Sequence, residues 1–128
     1  MKLSEYFEAK KGIGVLATAD SDGKVNTALY SRPHFIEEET VAFIMLERLS
    51  HKNLQSNPHA SYLFIESDGQ YVGKRLYLTK IKEEADTDQI DTLRRKEYKS
   101  DAKRYLVFFR VDKVLPLIGA GKKDCNES

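Results

Sequence analysis

Val41-Ala42-Phe43-Ile44-Met45-Leu46-Glu47-Arg48-Leu49-Ser50-His51-Lys52-Asn53-Leu54-Gln55-Ser56-Asn57-Pro58 is the stretch whose reading decides the fold. Its first six residues are apolar without interruption and read as a buried strand. A short helix is predicted from Ser50, and Asn57-Pro58 ends it, because the residue before a proline is pushed out of the helical region. Ser50 is predicted as the N-cap, its oxygen accepting from the free amides of the first turn. His51 and Lys52 then fall where unsatisfied N–H groups and the positive end of the helix dipole converge. A strand that runs into a basic helix start can cradle a phosphate. The same residues also suit an ordinary capped surface helix with solvated cations.

Working outward, Leu3, Tyr6, Phe7 and Lys10 fall on a helical spacing, and Gly12 and Gly14 are read as the stop of that helix. Val15 to Ala19 is a short apolar strand. Asp20-Ser21-Asp22-Gly23 is a hairpin turn, since Asp-Gly tolerates positive φ. The chain should return as one strand from Lys24 to about Phe35, and Glu37-Glu38-Glu39 turns it into the strand from Thr40 to Leu46. Ala60 to Ile65 is a further strand, closed by Ser67-Asp68-Gly69, and Gly73 marks a bulge or loop end. Arg75 to Lys82 alternates polar and apolar, as a half-buried strand does. Asp86-Thr87-Asp88 can cap a helix reaching about Lys99, and the last strand runs from Arg104 to Val114. The pattern gives about six strands, mostly in local antiparallel order, and three helices. That is a mainly β domain: a closed or partly open barrel with peripheral helices.

The 128 residues suffice for one domain, 1–128, with a polar tail from about Gly119. Hydrophobic residues at 41% and charged residues at 32% make a soluble balance. A net charge of +1 speaks against a nucleic-acid binder, which needs a strong basic excess. No apolar run approaches the roughly 20 residues that cross a bilayer, and the N-terminus lacks the apolar core of a signal peptide. Cys125 is the single cysteine, so neither an internal disulfide nor a thiolate cluster can form. The expected compartment is the cytoplasm.

Gly12-Ile13-Gly14 is no dinucleotide fingerprint, since it precedes the first strand and lacks the third glycine. Asp86, Asp88 and Asp91 lack the loop glycine and terminal glutamate of a calcium loop. His34, His51 and His59 have no metal-ligand spacing, and no metal is expected. The segment Lys24 to Arg32 is more informative. On strand alternation Asn26 and Ala28 share one face, and Thr27 and Leu29 the other. A polar face on a barrel strand can line a ligand site or simply face solvent.

The ordered series Gly14-Val15-Leu16-Ala17-Thr18, Asp22-Gly23, Val25-Asn26-Thr27, the strand Val41 to Leu46 and Asn53-Leu54-Gln55-Ser56-Asn57-Pro58 resembles the pyridoxamine 5′-phosphate oxidase-like FMN-binding split barrels. The resemblance runs from about Gly12 to Val114 and is nearest to the short single-domain members. It implies a six-stranded antiparallel split β-barrel and a homodimer with FMN in a groove at the interface. Carried across, Asn26, Thr27 and Ala28 match the second-strand contacts to the flavin, and Met45 and Leu46 the end of the third strand. Ser50 falls at a phosphate-contacting hydroxyl position. Many relatives carry Ser-Arg-Lys ahead of the Asn-Leu, whereas Arg48-Leu49-Ser50 stands here. Arg48 and Lys52 are therefore alternative phosphate ligands.

The implied function is that of an FMN flavoprotein, an oxidoreductase or electron carrier acting on a small molecule or a redox protein, without nucleic acid or membrane. The substrate residues that true pyridoxamine phosphate oxidases carry in a C-terminal extension have no counterpart in Leu117 to Ser128. No side chain is assigned as catalytic acid or base. The rival reading is a non-enzymatic split barrel for haem, a deazaflavin or a protein partner.

Overall fold

The structure, a computed structural model, describes residues 2–85 and 104–119. The elements run α1 (Leu3–Ala9), β1 (Gly12–Ala19), β2 (Val25–Leu29), β3 (His34–Glu37), β4 (Thr40–Leu46), α2 (Leu49–Ser56), β5 (His59–Glu66), β6 (Gly73–Ala85) and β7 (Arg104–Pro116). The strands form one seven-stranded sheet in the order β2-β1-β5-β6-β7-β4-β3, every pair antiparallel. Its two outermost strands, β2 and β3, are consecutive in the chain. Laid flat, seven strands would hold them about 29 Å apart. Residues 30–33 can bridge at most about 18 Å when fully extended. The sheet must therefore roll up, with β2 and β4–β3 facing each other across an unpaired seam. This is a split β-barrel. Among the described residues no helix is long and apolar enough to cross a membrane.

Seven strands stand where six were expected, because the return strand from Lys24 to Phe35 breaks in two. The Tyr30 amide still donates to the Gly14 carbonyl (3.0 Å), but the Tyr62 hydroxyl takes the carbonyls of Tyr30 and Ser31 at 3.2 and 3.0 Å. Pro33, which has no N–H, cannot extend a ladder, and the chain crosses the barrel mouth there. Gly12 and Gly14 are not helix stops either; both lie inside β1. A Cβ on Gly14 would run into the Tyr62 hydroxyl and the Tyr30 carbonyl, and one on Gly12 into the Ile65 carbonyl. Close backbone approach is what requires these glycines. Helix α1 instead ends at Ala9, and Arg32 Nη1 donates to the carbonyls of Phe7 (2.7 Å) and Lys10 (3.0 Å). The Asp20–Gly23 turn forms as expected, with Gly23 at φ +82° and Asp20 Oδ1 accepting from the amides of Asp22 and Lys24. The helix expected from Asp86 to Lys99 lies outside the described residues.

Inward-facing Leu16, Phe43, Met45, Tyr62, Phe64, Leu76, Leu78, Val107 and Phe109 fill the barrel, and Tyr6, Phe7 and Leu54 of the two helices pack onto them. Each such large side chain, fully buried, contributes about 1.5–3 kcal/mol. On the opposite face of β4 and β7, Ala42, Leu106 and Phe108 form a second small cluster. Leu106 to Phe109 are thus buried within the chain.

Gly14→Ala is expected to lose about 1–3 kcal/mol, the usual cost of forcing extra volume into a packed site. Denaturant unfolding of the two proteins measures it.

Candidate functional site

Helix α2 is fixed to the barrel at three points. Leu54 enters the core, and the Asn53 amide donates to the Thr18 hydroxyl at 3.0 Å, both groups buried. The buried His51 stacks on Tyr105 (ring centroids 4.0 Å apart, planes 14° apart), with Nε2 3.0 Å from a Glu83 oxygen. Together these anchors aim the start of α2 at the seam.

Ser50 does not cap this helix. Arg48 is the N-cap, with no side-chain hydrogen bond, and Ser50 already lies in the first turn. Its hydroxyl faces the seam instead, where it accepts from Asn26 Nδ2 at 3.4 Å. The first intrahelical bond is Lys52 N–H to Arg48 carbonyl, so the amides of Leu49, Ser50 and His51 have no side-chain cap. Such a helix start attracts an anion.

The seam holds an open groove of about 620 Å³. Asn26 to Leu29 of β2 and the crossover residues Tyr30 to Arg32 form one wall, and Phe43, Ile44 and Leu46 of β4 the other. Arg48, Leu49 and Ser50 close one end, beside Arg104. In the β4–β7 ladder Leu46 pairs with Arg104, whereas His34, which also lines the groove, pairs with Ala42 four positions back along β4. Tyr30 packs edge-on against Phe43 (5.8 Å, 82°). Among the described residues the lining carries the cations of Arg32, Arg48 and Arg104 and no carboxylate. Burial pushes the Tyr30 phenol up, while the nearby Ser50 hydroxyl and the Arg48 charge pull it back.

Of the residues singled out in the sequence, Asn26, Thr27, Ala28, Leu46, Arg48 and Ser50 line this groove. Met45 does not: strand alternation turns it into the core, fully buried, and sends Ile44 and Leu46 to the groove. Lys52 is exposed and lies outside the lining. Tyr30, Phe43, Ile44 and Arg104 line it without having been singled out. Alternation from Asn26 and Ala28 reaches Tyr30 and could have found it. Arg104 is brought by the β4–β7 register, which no local pattern reveals. The histidines lie apart: His34 in the groove, His51 on Glu83, and His59 within 3.5 Å of the Thr79 hydroxyl. Among the described residues no three His, Cys, Asp or Glu side chains gather as metal ligands.

No protein-family model and no curated protein matches the sequence. Solved structures do match. An FMN-binding protein from Syntrophomonas wolfei superposes with a TM-score of 0.76 at 20% identity, covering 91% of this chain and 84% of that one. An F420 reductase gives 0.71 at 18%, covering 89% and 97%. A candidate pyridoxamine 5′-phosphate oxidase from Lactobacillus delbrueckii gives 0.64 at 15%, covering 88% of each chain. The chain therefore has the split-barrel fold of the pyridoxamine 5′-phosphate oxidase-like proteins, as its sequence resemblance implied.

One electrostatic prediction follows from the α2 anchor. Burial works to raise the Glu83 carboxyl, but hydrogen bonds from Lys80 (2.6 Å), Gln55 (2.9 Å) and His51 outweigh it and hold the group down to about 2. A carboxyl depressed in the folded state stabilises it above the unfolded value, near 4.5, and loses that contribution as pH falls through about 2. Glu83→Gln should therefore be less stable than the parent at neutral pH, and the gap should close on acidification. Urea midpoints across that pH range measure both.

Proposed function

We propose that the protein is an FMN-binding flavoprotein, an oxidoreductase or electron carrier that works as a cytoplasmic homodimer on a small molecule or a redox protein. One observation carries the reading. A single end of the groove gathers Arg48, the Ser50 hydroxyl and the uncapped amides of α2, while the walls beyond it are largely apolar and aromatic. That is the complement of a flat heteroaromatic body joined to one phosphate. Among the described residues no carboxylate pairs with Arg48, which leaves its guanidinium available for a bidentate phosphate contact.

In this reading Arg48, Ser50 and the α2 amides hold the phosphate. Asn26, Thr27 and Ala28 flank the ring and ribityl chain from β2, and Leu46 packs from β4. The flavin, when bound, supplies the electron-transfer chemistry; the protein supplies binding, orientation and exclusion of water. The cations that line the groove among the described residues favour a ligand that carries or gains negative charge.

The homodimer rests on the outer face of the sheet. Ladder register aligns Leu29, Val15 and Leu63 in one row across β2, β1 and β5, with Ile13 beside Ile65 and Ala19 beside Val25. Val25 and Leu29 are 80% and 76% exposed, more than isolated surface residues on a monomer require. Because β2 is also a groove wall, a second copy seated on this face would border the groove.

Purified protein is expected to be yellow, and apoprotein titrated by flavin fluorescence should prefer FMN to riboflavin. Equal affinity for the two would remove the phosphate cradle, and a Soret band in place of flavin bands would favour haem. Arg48→Ala should cost FMN on the order of ten- to a hundred-fold in affinity, the worth of a charged hydrogen bond, with little effect on riboflavin. Lys52→Ala, on an exposed side chain outside the groove, should leave both unchanged.

Light scattering should report a dimer at micromolar concentration, and Leu29→Glu should shift it to monomer. A flavin-loaded monomer in the parent protein would contradict the assembly.

A further inference from the structure

We propose that Tyr105 is a positioning residue that clamps the segment from Glu47 to His51, and so holds Arg48 and Ser50 in their groove-facing arrangement. Its two contacts fall on either side of that segment. The Tyr105 hydroxyl donates to Glu47 Oε2 at 3.0 Å, just before Arg48, and its ring stacks on His51 at 4.0 Å, just after Ser50. Tyr105 and His51 are themselves tied down. Tyr105 sits in the β4–β7 ladder opposite Met45, and His51 is bonded to Glu83, which Lys80 and Gln55 also hold.

The segment between the two contacts needs such a restraint. Helix α2 starts at Leu49 without a side-chain cap, Leu49 is 52% exposed, and the buried Ser50 is held by one long 3.4 Å bond from Asn26, so the first turn is prone to fraying. Core packing explains why the ring of Tyr105 is there, since it lies against the barrel cluster. It does not explain the hydroxyl, which reaches an exposed carboxylate outside the core. The hydroxyl bond fixes the residue before Arg48, the stack fixes the residue after Ser50, and one rigid strand carries both.

Tyr105→Phe separates these roles, because it removes the Glu47 bond and keeps the packing and the stack. Tyr105→Leu removes both contacts. Hydrogen exchange without ligand should show faster exchange at the amides of Lys52 and Asn53, the first that are hydrogen-bonded within α2, in Tyr105→Phe, and faster still in Tyr105→Leu, with the β-ladder amides of Tyr105→Phe unchanged. Parent-like exchange at those two amides in Tyr105→Phe overturns the clamp. The ligand arm rests on the phosphate reading of the groove. There Tyr105→Phe should lose about three- to tenfold in FMN affinity, no more than a lost hydrogen bond is worth, and stay within about twofold for riboflavin. Equal loss of the two ligands means general destabilisation and overturns the positioning role. If the amides loosen but the parent itself binds FMN and riboflavin alike, the clamp stands and the phosphate reading falls.

Discussion

The whole architecture depends on a short tether. Residues 30–33 join the two outermost strands of a seven-stranded sheet, and their reach is shorter than the width of that sheet laid flat. Rolling up is therefore obligatory. The tether crosses the mouth without hydrogen-bonding as a strand, so the roll stays open on one side. The Tyr62 hydroxyl ties the tether to the core, its one proton shared between the carbonyls of Tyr30 and Ser31. Room for that hydroxyl exists because residue 14 has no side chain. A barrel tyrosine, a strand glycine and a proline-containing crossover are one device, and the groove is its product.

The second consequence concerns α2. A helix whose first-turn amides lack a side-chain cap gives up about 1 kcal/mol that a capping side chain would have returned. Ser50 has the chemistry to cap but lies two residues past the N-cap position and spends its hydroxyl on Asn26. The helix is instead held from its other sides, by Leu54 in the core, Asn53 on Thr18 and His51 against Glu83 and Tyr105. Stability is supplied away from the groove, and the groove end keeps its polar groups open. Such an arrangement suits a binding site, because groups already used for capping could not receive a ligand.

The barrel has unequal faces. Inside, aromatic rings interlock: Phe43 meets Tyr30, Tyr62 and Phe109, and Phe7 meets Tyr6, Phe35, Tyr62 and Phe64. Outside, β2, β1 and β5 present a second apolar layer that the described residues leave in contact with solvent. The groove opens along the edge of that layer, so any occupant of the apolar face and any ligand of the groove would be neighbours.

Local pattern alone was enough for much of this. The apolar run to Leu46, the Asp20–Gly23 turn, the helix stop at Asn57-Pro58 and the alternation of Asn26 and Ala28 follow from propensity and period, and they set the order of the elements. Their series also carried the family resemblance, and with it Arg48 and Ser50. What local pattern could not decide was anything fixed by a neighbour distant in the chain. Gly12 and Gly14 read as a helix stop until Ile65 and Tyr62 are seen beside them. The strand through Tyr30 breaks because of a hydroxyl 32 residues away. Ser50 reads as a cap until the helix starts at Leu49 and Asn26 claims its hydroxyl, and Arg104 reaches the groove only through its register opposite Leu46. Propensity is a property of a few adjacent residues, whereas the seam, its hydroxyl bridge and its gathered cations exist only once strands far apart in sequence lie side by side.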